Sequence, residues 1–181
     1  MRKKITSWEV PSYLKDNWKD VSLELVKEVF TQSEKMLGEL VKVGESVTVK
    51  AFKVLQLAVL VMSVGLGYVF TENPQPIILL AAKISAGLSF LSILALSIPL
   101  WAYNTYIVGS SPSKLLNDPN LIKSSNQVKS LLFSEIFNYE TRIRYNITKN
   151  VTRTILVNVA MILLILVPFS LLAIVTGKRF L

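Results

Sequence analysis

The 181-residue chain contains no cysteine and no histidine. Without cysteine it can form no disulfide framework and carry out no thiol chemistry. Without histidine it lacks the commonest general base and the commonest metal ligand. The sequence also lacks phosphate loops, nucleophile elbows, metal-ligand clusters and carboxylate pairs within its apolar segments. We therefore expect no enzymatic activity: the sequence predicts no catalytic residue, no cofactor and no bound metal.

Charge is nearly absent from three long apolar segments. Residues 54–70 carry no charge over 17 residues, residues 77–101 carry only Lys83, and residues 155–176 carry none over 22 residues. A helix rises 1.5 Å per residue, so segments of this length can cross a hydrocarbon core of roughly 30 Å. The chain is 51% hydrophobic, with a mean hydropathy of +0.48. The sequence predicts an all-α integral membrane protein with three transmembrane helices and cytosolic helical extensions.

The predicted spans divide the chain into four segments. Residues 1–53 are a cytosolic, amphipathic and heptad-like helical segment, and residues 54–101 are a two-span transmembrane hairpin. Residues 102–153 are a cytosolic linker and helix, and residues 154–181 are the third transmembrane helix with a short tail. The two cytosolic segments hold 17 of the 20 Lys and Arg residues, as the positive-inside rule requires. We therefore expect a multi-pass protein of the cell membrane with a cytoplasmic N-terminus and no cleavable signal peptide.

Apolar residues repeat at spacings of three and four in both cytosolic segments. The first repeat, over residues 23–54, predicts a helix that begins with Asp20 as its N-cap and carries a heptad-like seam. Its partner could be the helix before the third span or the same helix in another subunit, and a surface-lying amphipathic helix is the other interpretation. The second repeat predicts one helix of about fifty residues that continues into the third span. The candidate seam residues are Phe30, Leu37, Leu40, Tyr139 and Asn146.

Polar side chains provide two further sets of candidates. Ser85, Ser89 and Ser92 share one helix face in the second span, where they could line a water path in an oligomer or pack against another helix. Basic and aromatic side chains outside the spans could contact anionic headgroups or a protein partner. These are Lys3, Lys4, Trp8, Lys15, Trp18, Arg142, Arg144, Lys149 and Arg153.

Four of these basic residues, Arg142, Arg144, Lys149 and Arg153, are expected with Glu135 and Glu140 on the outer face of the second helix. The net charge of +8 is ascribed to membrane topology, so direct nucleic-acid binding is not expected.

The segment FNYETRIRYNITKNVTRTILVNVAMILLIL, which starts at Phe137, resembles a helix of many small prokaryotic membrane proteins. In those proteins a Tyr and an Asn seven residues apart precede a basic stretch and the last span. The corresponding residues here are Tyr139, Asn146, Lys149 and Arg153. Over residues 20–176 the layout is similar to small membrane effectors of prokaryotic antiviral defence, such as SLATT-type proteins and the membrane partners of short Argonautes.

The resemblance implies a membrane protein that a cytosolic sensor complex recruits or activates. Such a protein then oligomerises and depolarises or permeabilises the membrane. The alternative is a non-conducting membrane anchor or accessory subunit that recruits a cytosolic complex. In both cases the expected partners are membrane lipid with anionic headgroups, further copies of the chain and a cytosolic protein complex.

Overall fold

A computed structural model describes residues 20–101 and 127–177. Within these ranges the chain forms three α-helices and no strand: α1 (Leu23–Val69), α2 (Pro76–Leu100) and α3 (Gln127–Gly177). Each helix is long and apolar enough to cross a membrane. The all-α prediction with three such helices is confirmed. Helix α3, with 51 residues, is the long helix that the second apolar repeat predicts.

The helix ends follow from local sequence. Helix α1 is capped by Ser22, whose Oγ accepts a hydrogen bond from the Leu25 N–H at 3.2 Å, and this satisfies one of the N–H groups of the first turn. The predicted N-cap at Asp20 is wrong, because Ser22 directly precedes the first helical residue and offers the same kind of acceptor. Between α1 and α2, Asn73 has a φ of 55°, a left-handed conformation that asparagine tolerates. Pro76 opens α2, where no N–H donor is needed.

Internal contacts divide the chain into two compact units. Among the described residues, unit 1 comprises residues 20–43 and 127–148, and unit 2 comprises residues 44–101 and 149–177. The division in α1 therefore falls about ten residues before the first apolar segment begins. The physical reason is that Val47 and Ala51 are buried in the core of unit 2.

The described part of unit 1 is built around the predicted seam. Leu37, Tyr139 and Ile143 form a buried cluster, and Phe30 and Leu40 pack against it. The rings of Phe30 and Tyr139 lie 5.4 Å apart with an interplanar angle of 30°, within the range of favourable aromatic pairs. Of the partners considered for the seam, the structure therefore gives it the helix that precedes the third span, within the same chain.

Unit 2 packs the three apolar segments together. Its core is the cluster of Val47, Ala51, Leu96, Val157 and Ala160. Small side chains dominate here because, between apolar helices, close backbone approach supplies the packing energy.

Gly65 marks a close contact between α1 and α2. A Cβ atom at this position would lie 3.0 Å from the Ala82 carbonyl oxygen and 3.3 Å from the Ala86 Cβ. By contrast, a Cβ on Gly67 or Gly87 would meet nothing within 4 Å. Gly65 is therefore the glycine that this helix pair requires.

Candidate functional site

The most unusual side chain of unit 2 is Arg153 on α3, which is only 6% exposed. Its Nε donates to the Pro99 carbonyl oxygen at 3.1 Å, and its Nη1 donates to the Gly44 carbonyl oxygen at 3.5 Å. Its Nη2 donates to the Thr48 Oγ1. A guanidinium presents a rigid fork of donors, so a single side chain of α3 contacts both α1 and α2.

The acceptors of Arg153 suit a cation. Pro99 lies in the last turn of α2, where carbonyls have no intrahelical partner and the helix dipole is negative. Thr48 Oγ1 donates to the Gly44 carbonyl oxygen at 3.0 Å while accepting from Arg153, so the hydroxyl acts as donor and acceptor at once. We call Arg153, Thr48, Gly44 and Pro99 the arginine junction.

Gly44 is required where α1 and α3 meet. A Cβ at this position would lie 3.0 Å from the Oδ1 and 3.6 Å from the Nδ2 of Asn150, which is itself buried. Gly44 and Thr48 are one turn apart on α1, and Asn150 and Arg153 are about one turn apart on α3. Because residue 44 has no side chain, α1 and α3 approach closely enough for Asn150 to lie against Gly44 and for Arg153 to reach the Gly44 carbonyl and Thr48.

The structure corrects the predicted outer face of α3. Arg153 and Glu135, both expected there, are each 6% exposed. Arg153 is not available to lipid or to a partner, because its donors are used inside unit 2. The signal that could have revealed this was its spacing of four and seven from Val157 and Ala160, which are core residues.

The serine face of α2 lies inside unit 2. Ser85 Oγ donates to the Ala81 carbonyl oxygen at 2.8 Å, and Ser92 Oγ donates across to the Ala160 carbonyl oxygen of α3 at 3.1 Å. Ser89 is fully buried, and its Oγ has no hydrogen-bond partner among the described residues. In the single chain these serines are therefore a packing face, with one bond to the helix itself, one to α3 and one hydroxyl unsatisfied.

The serines and the arginine junction share one face of α2. Ser85, Ser89, Ser92, Leu96 and Pro99 are all buried and follow one another at spacings of three and four. Leu96 is fully buried in the apolar core and separates the hydroxyls from the Pro99 carbonyl. The polar line along α2 is thus interrupted by one apolar side chain.

The other predicted contact residues have different surroundings. Arg142 lies over the Tyr139 ring, 5.6 Å from its centroid, and Arg144 forms an ion pair with Glu140. Asn146 is buried, and Lys149 is half-buried. The N-terminal candidates lie outside the described residues; these are Lys3, Lys4, Trp8, Lys15 and Trp18.

Unit 1 also exposes an apolar strip on α1, which was not among the predicted contact residues. Leu25, Val29, Met36 and Val43 are 41–55% exposed. Their spacings of four and seven place them on one narrow strip of α1. The strip lies beside the seam, because Val29 and Met36 immediately precede the seam residues Phe30 and Leu37.

Within the described ranges, no group of three His, Cys, Asp or Glu side chains could hold a metal ion. Comparison with protein-family models, with curated proteins and with solved structures gives no match to this chain. The functional evidence in this structure is therefore the geometry of the described residues.

Proposed function

We propose that this chain is a multi-pass membrane effector that a cytosolic sensor complex recruits or activates. In the active state several copies assemble, and the membrane is depolarised or permeabilised. This proposal takes up the resemblance to small membrane proteins of prokaryotic antiviral defence. The second candidate is a non-conducting anchor for a cytosolic complex.

The observation that carries the proposal is the polar line inside unit 2. Polar groups within an apolar helical bundle are costly unless they are bonded, and they often mark sites of function. An anchor requires apolar helices but has no use for a buried and unsatisfied hydroxyl such as that of Ser89. A path for water does use hydroxyls on one helix face.

Leu96 accounts for a closed resting state. It fills the gap between Ser92 and the arginine junction and is fully buried against Val157 and Ala160. Hydrophobic constrictions of this kind exclude water and ions. Three helices enclose too little room for an aqueous pore, so opening requires several copies and a separation of α2 from α3 around Leu96.

The arginine junction supports the proposed orientation. Val69 lies 21 positions after Thr48 and Ile174 lies 21 positions after Arg153, so both helices extend roughly 32 Å from the junction, about one hydrocarbon thickness. The junction therefore belongs at one edge of the apolar layer, and we assign this edge to the cytoplasmic side because of the basic flanking segments. Single cysteines at Asn73 and Asp118 should label from opposite sides of the membrane. Labelling of both from the same side would refute this topology.

Recruitment by a cytosolic protein complex would use unit 1. The exposed strip of Leu25, Val29, Met36 and Val43 offers apolar anchors at helical spacing, as in helix-in-groove recognition. Met36→Glu should abolish recruitment while leaving the fold intact, because Met36 is 46% exposed. Thr31→Glu, on another exposed position of α1, is the matched control. Equal recruitment of both variants would exclude the strip as the docking surface.

The test that separates effector from anchor is a gain of function. Leu96→Ser replaces the apolar side chain in the polar line, and we expect it to depolarise cells without the trigger. Leu60→Ser makes the same chemical change on an exposed position of α1 and should leave the membrane potential unchanged. Misfolding cannot mimic this gain. If Leu96→Ser reaches the membrane and the potential is unaffected with or without the trigger, the anchor is the better assignment.

A further inference from the structure

Two opposite charges near one end of unit 2 have no partner among the residues that the structure describes. Glu72 lies in the turn between α1 and α2, and Lys83 lies seven residues into α2 from Pro76. Both side chains are exposed. Within the described residues, neither forms a hydrogen bond or an ion pair. From residue 46 to residue 117, Glu72 is the only acidic residue of the sequence.

An unpaired lysine at this depth is unfavourable. Lys83 is about 10 Å along the helix axis from Pro76, within a segment that carries no other charge. Charged groups inside the apolar layer are costly unless they reach the interface or find a counter-charge. Helical side chains lean towards the helix N-terminus, so the Lys83 ammonium is directed towards the level of the Glu72 turn.

The face of α2 that carries Lys83 can be approached closely. Gly87 is one turn further along, and a Cβ there would meet nothing within 4 Å. Leu80, Phe90 and Leu94 flank the glycine and are each 50–52% exposed. Glycine on an outward face lets the backbone of a second helix come close. Contact between Lys83 and lipid would not require a glycine at this position.

We propose that the face of α2 around Lys83 and Gly87 binds a second copy of this chain, and that Lys83 pairs with Glu72 of that copy. Charge complementarity identifies the occupant, because the chain supplies both members of the pair and both are unpaired within residues 20–101 and 127–177. The close approach at Gly87 brings the two charges within reach. This inference deepens the proposed function, since it names the contact through which an oligomeric effector would assemble.

Charge reversal in differently tagged full-length chains tests the pair. Lys83→Glu alone places two carboxylates at the contact, and Glu72→Lys alone places two ammonium groups there. Each should lower co-purification of the two tags from membranes by roughly tenfold or more, because like charges at an interface strongly oppose association. Co-expression of a Lys83→Glu chain with a Glu72→Lys chain should restore it, since every pair across the contact is then of opposite sign.

Restoration in the mixture distinguishes the second copy from other sources of negative charge. If Lys83 binds a lipid phosphate, the mixture gains nothing over the single variants. If Lys83 pairs with Glu72 of its own chain, co-purification recovers in the double variant Glu72→Lys/Lys83→Glu but not in the mixture of single variants. Either result overturns the proposal.

The glycines provide a matched control for close approach. Gly87→Leu should abolish co-purification, whereas Gly67→Leu, on an equally open position of α1, should leave it unchanged. Loss with Gly67→Leu instead would place the contact on α1 and refute this assignment.

Membrane potential measured on the same cells separates the two proposals. If the chains assemble through Lys83 and Glu72 but the membrane is not depolarised, the effector proposal is refuted and the proposed contact is retained. If triggered depolarisation survives Lys83→Glu, the proposed contact is refuted and the effector proposal is retained.

Discussion

Replacement of Arg153 by methionine should destabilise unit 2 by about 2–4 kcal/mol. The change removes bonds to the Pro99 and Gly44 carbonyls and to Thr48 Oγ1, and bonds from charged donors contribute about 1.5–3 kcal/mol each. The Gly44 contact, at 3.5 Å, is weak. Polar contacts between membrane helices average only about 0.6 kcal/mol, which lowers the total.

The sign of the effect follows from which partners remain. Replacing an entire buried charge pair with apolar groups is often neutral or stabilising, because the desolvation cost disappears. Here the acceptors stay in place. Gly44 keeps the Thr48 hydroxyl, but the Pro99 carbonyl loses the donor that Arg153 supplies, and an unsatisfied buried acceptor costs about 1–3 kcal/mol. Arg153→Lys should fall between methionine and wild type, since an ammonium cannot span three divergent acceptors.

Unfolding equilibria of purified protein in mixed detergent micelles, followed by circular dichroism, measure this loss. Arg144→Met is the matched control on the same helix, because its ion pair with Glu140 is partly exposed and should change stability by less than about 1 kcal/mol. A double-mutant cycle of Arg153→Met with Thr48→Val should give a coupling of about 1 kcal/mol. If Arg153→Met is as stable as the wild-type protein and the coupling energy is zero, the arginine junction is not a stabilising contact.

Three further changes have defined outcomes in the same assay. Ser89→Ala should be neutral or stabilise the fold by about 1 kcal/mol, because it removes an unsatisfied buried hydroxyl; a clear loss would reveal a partner for that hydroxyl. Gly65→Leu should cost more than about 2 kcal/mol, since its Cβ would already lie 3.0 Å from the Ala82 carbonyl oxygen; an unaffected midpoint would contradict the close contact. Phe30→Asp should cost several kcal/mol because it places a carboxylate against Tyr139, and it should exceed Val29→Asp, which lies on the exposed strip. Equal losses from those two would argue against the seam.

Periodicity was sufficient for the helices and for the buried seam of α1. The spacing of Phe30, Leu37 and Leu40 predicted a seam, and the structure supplies Tyr139 as its partner. The prediction for Arg153 was wrong, because its charge favours an exposed position whereas its place in the helix repeat favours a buried one. Its spacing from Val157 and Ala160 indicated burial, but no pattern in the sequence shows that the last turn of α2 offers an unsatisfied carbonyl there.

Local rules likewise could not predict the hydroxyl bonds. The bond from Ser85 to its own helix follows the usual i to i−4 pattern. The bond from Ser92 to the Ala160 carbonyl oxygen joins residues 68 positions apart, so it depends on how α2 and α3 meet. Gly44, Gly65, Gly67 and Gly87 are equivalent by sequence, and only the fold distinguishes close contacts from open positions.

The arginine junction also bears on the order in which the chain is made. Its acceptors on Gly44, Thr48 and Pro99 all precede Arg153 in the sequence, as Ser92 precedes Ala160. Synthesis runs from the N-terminus, so the hairpin of α1 and α2 is complete before the last helix emerges. Arg153 is therefore synthesised after every carbonyl and hydroxyl that it contacts.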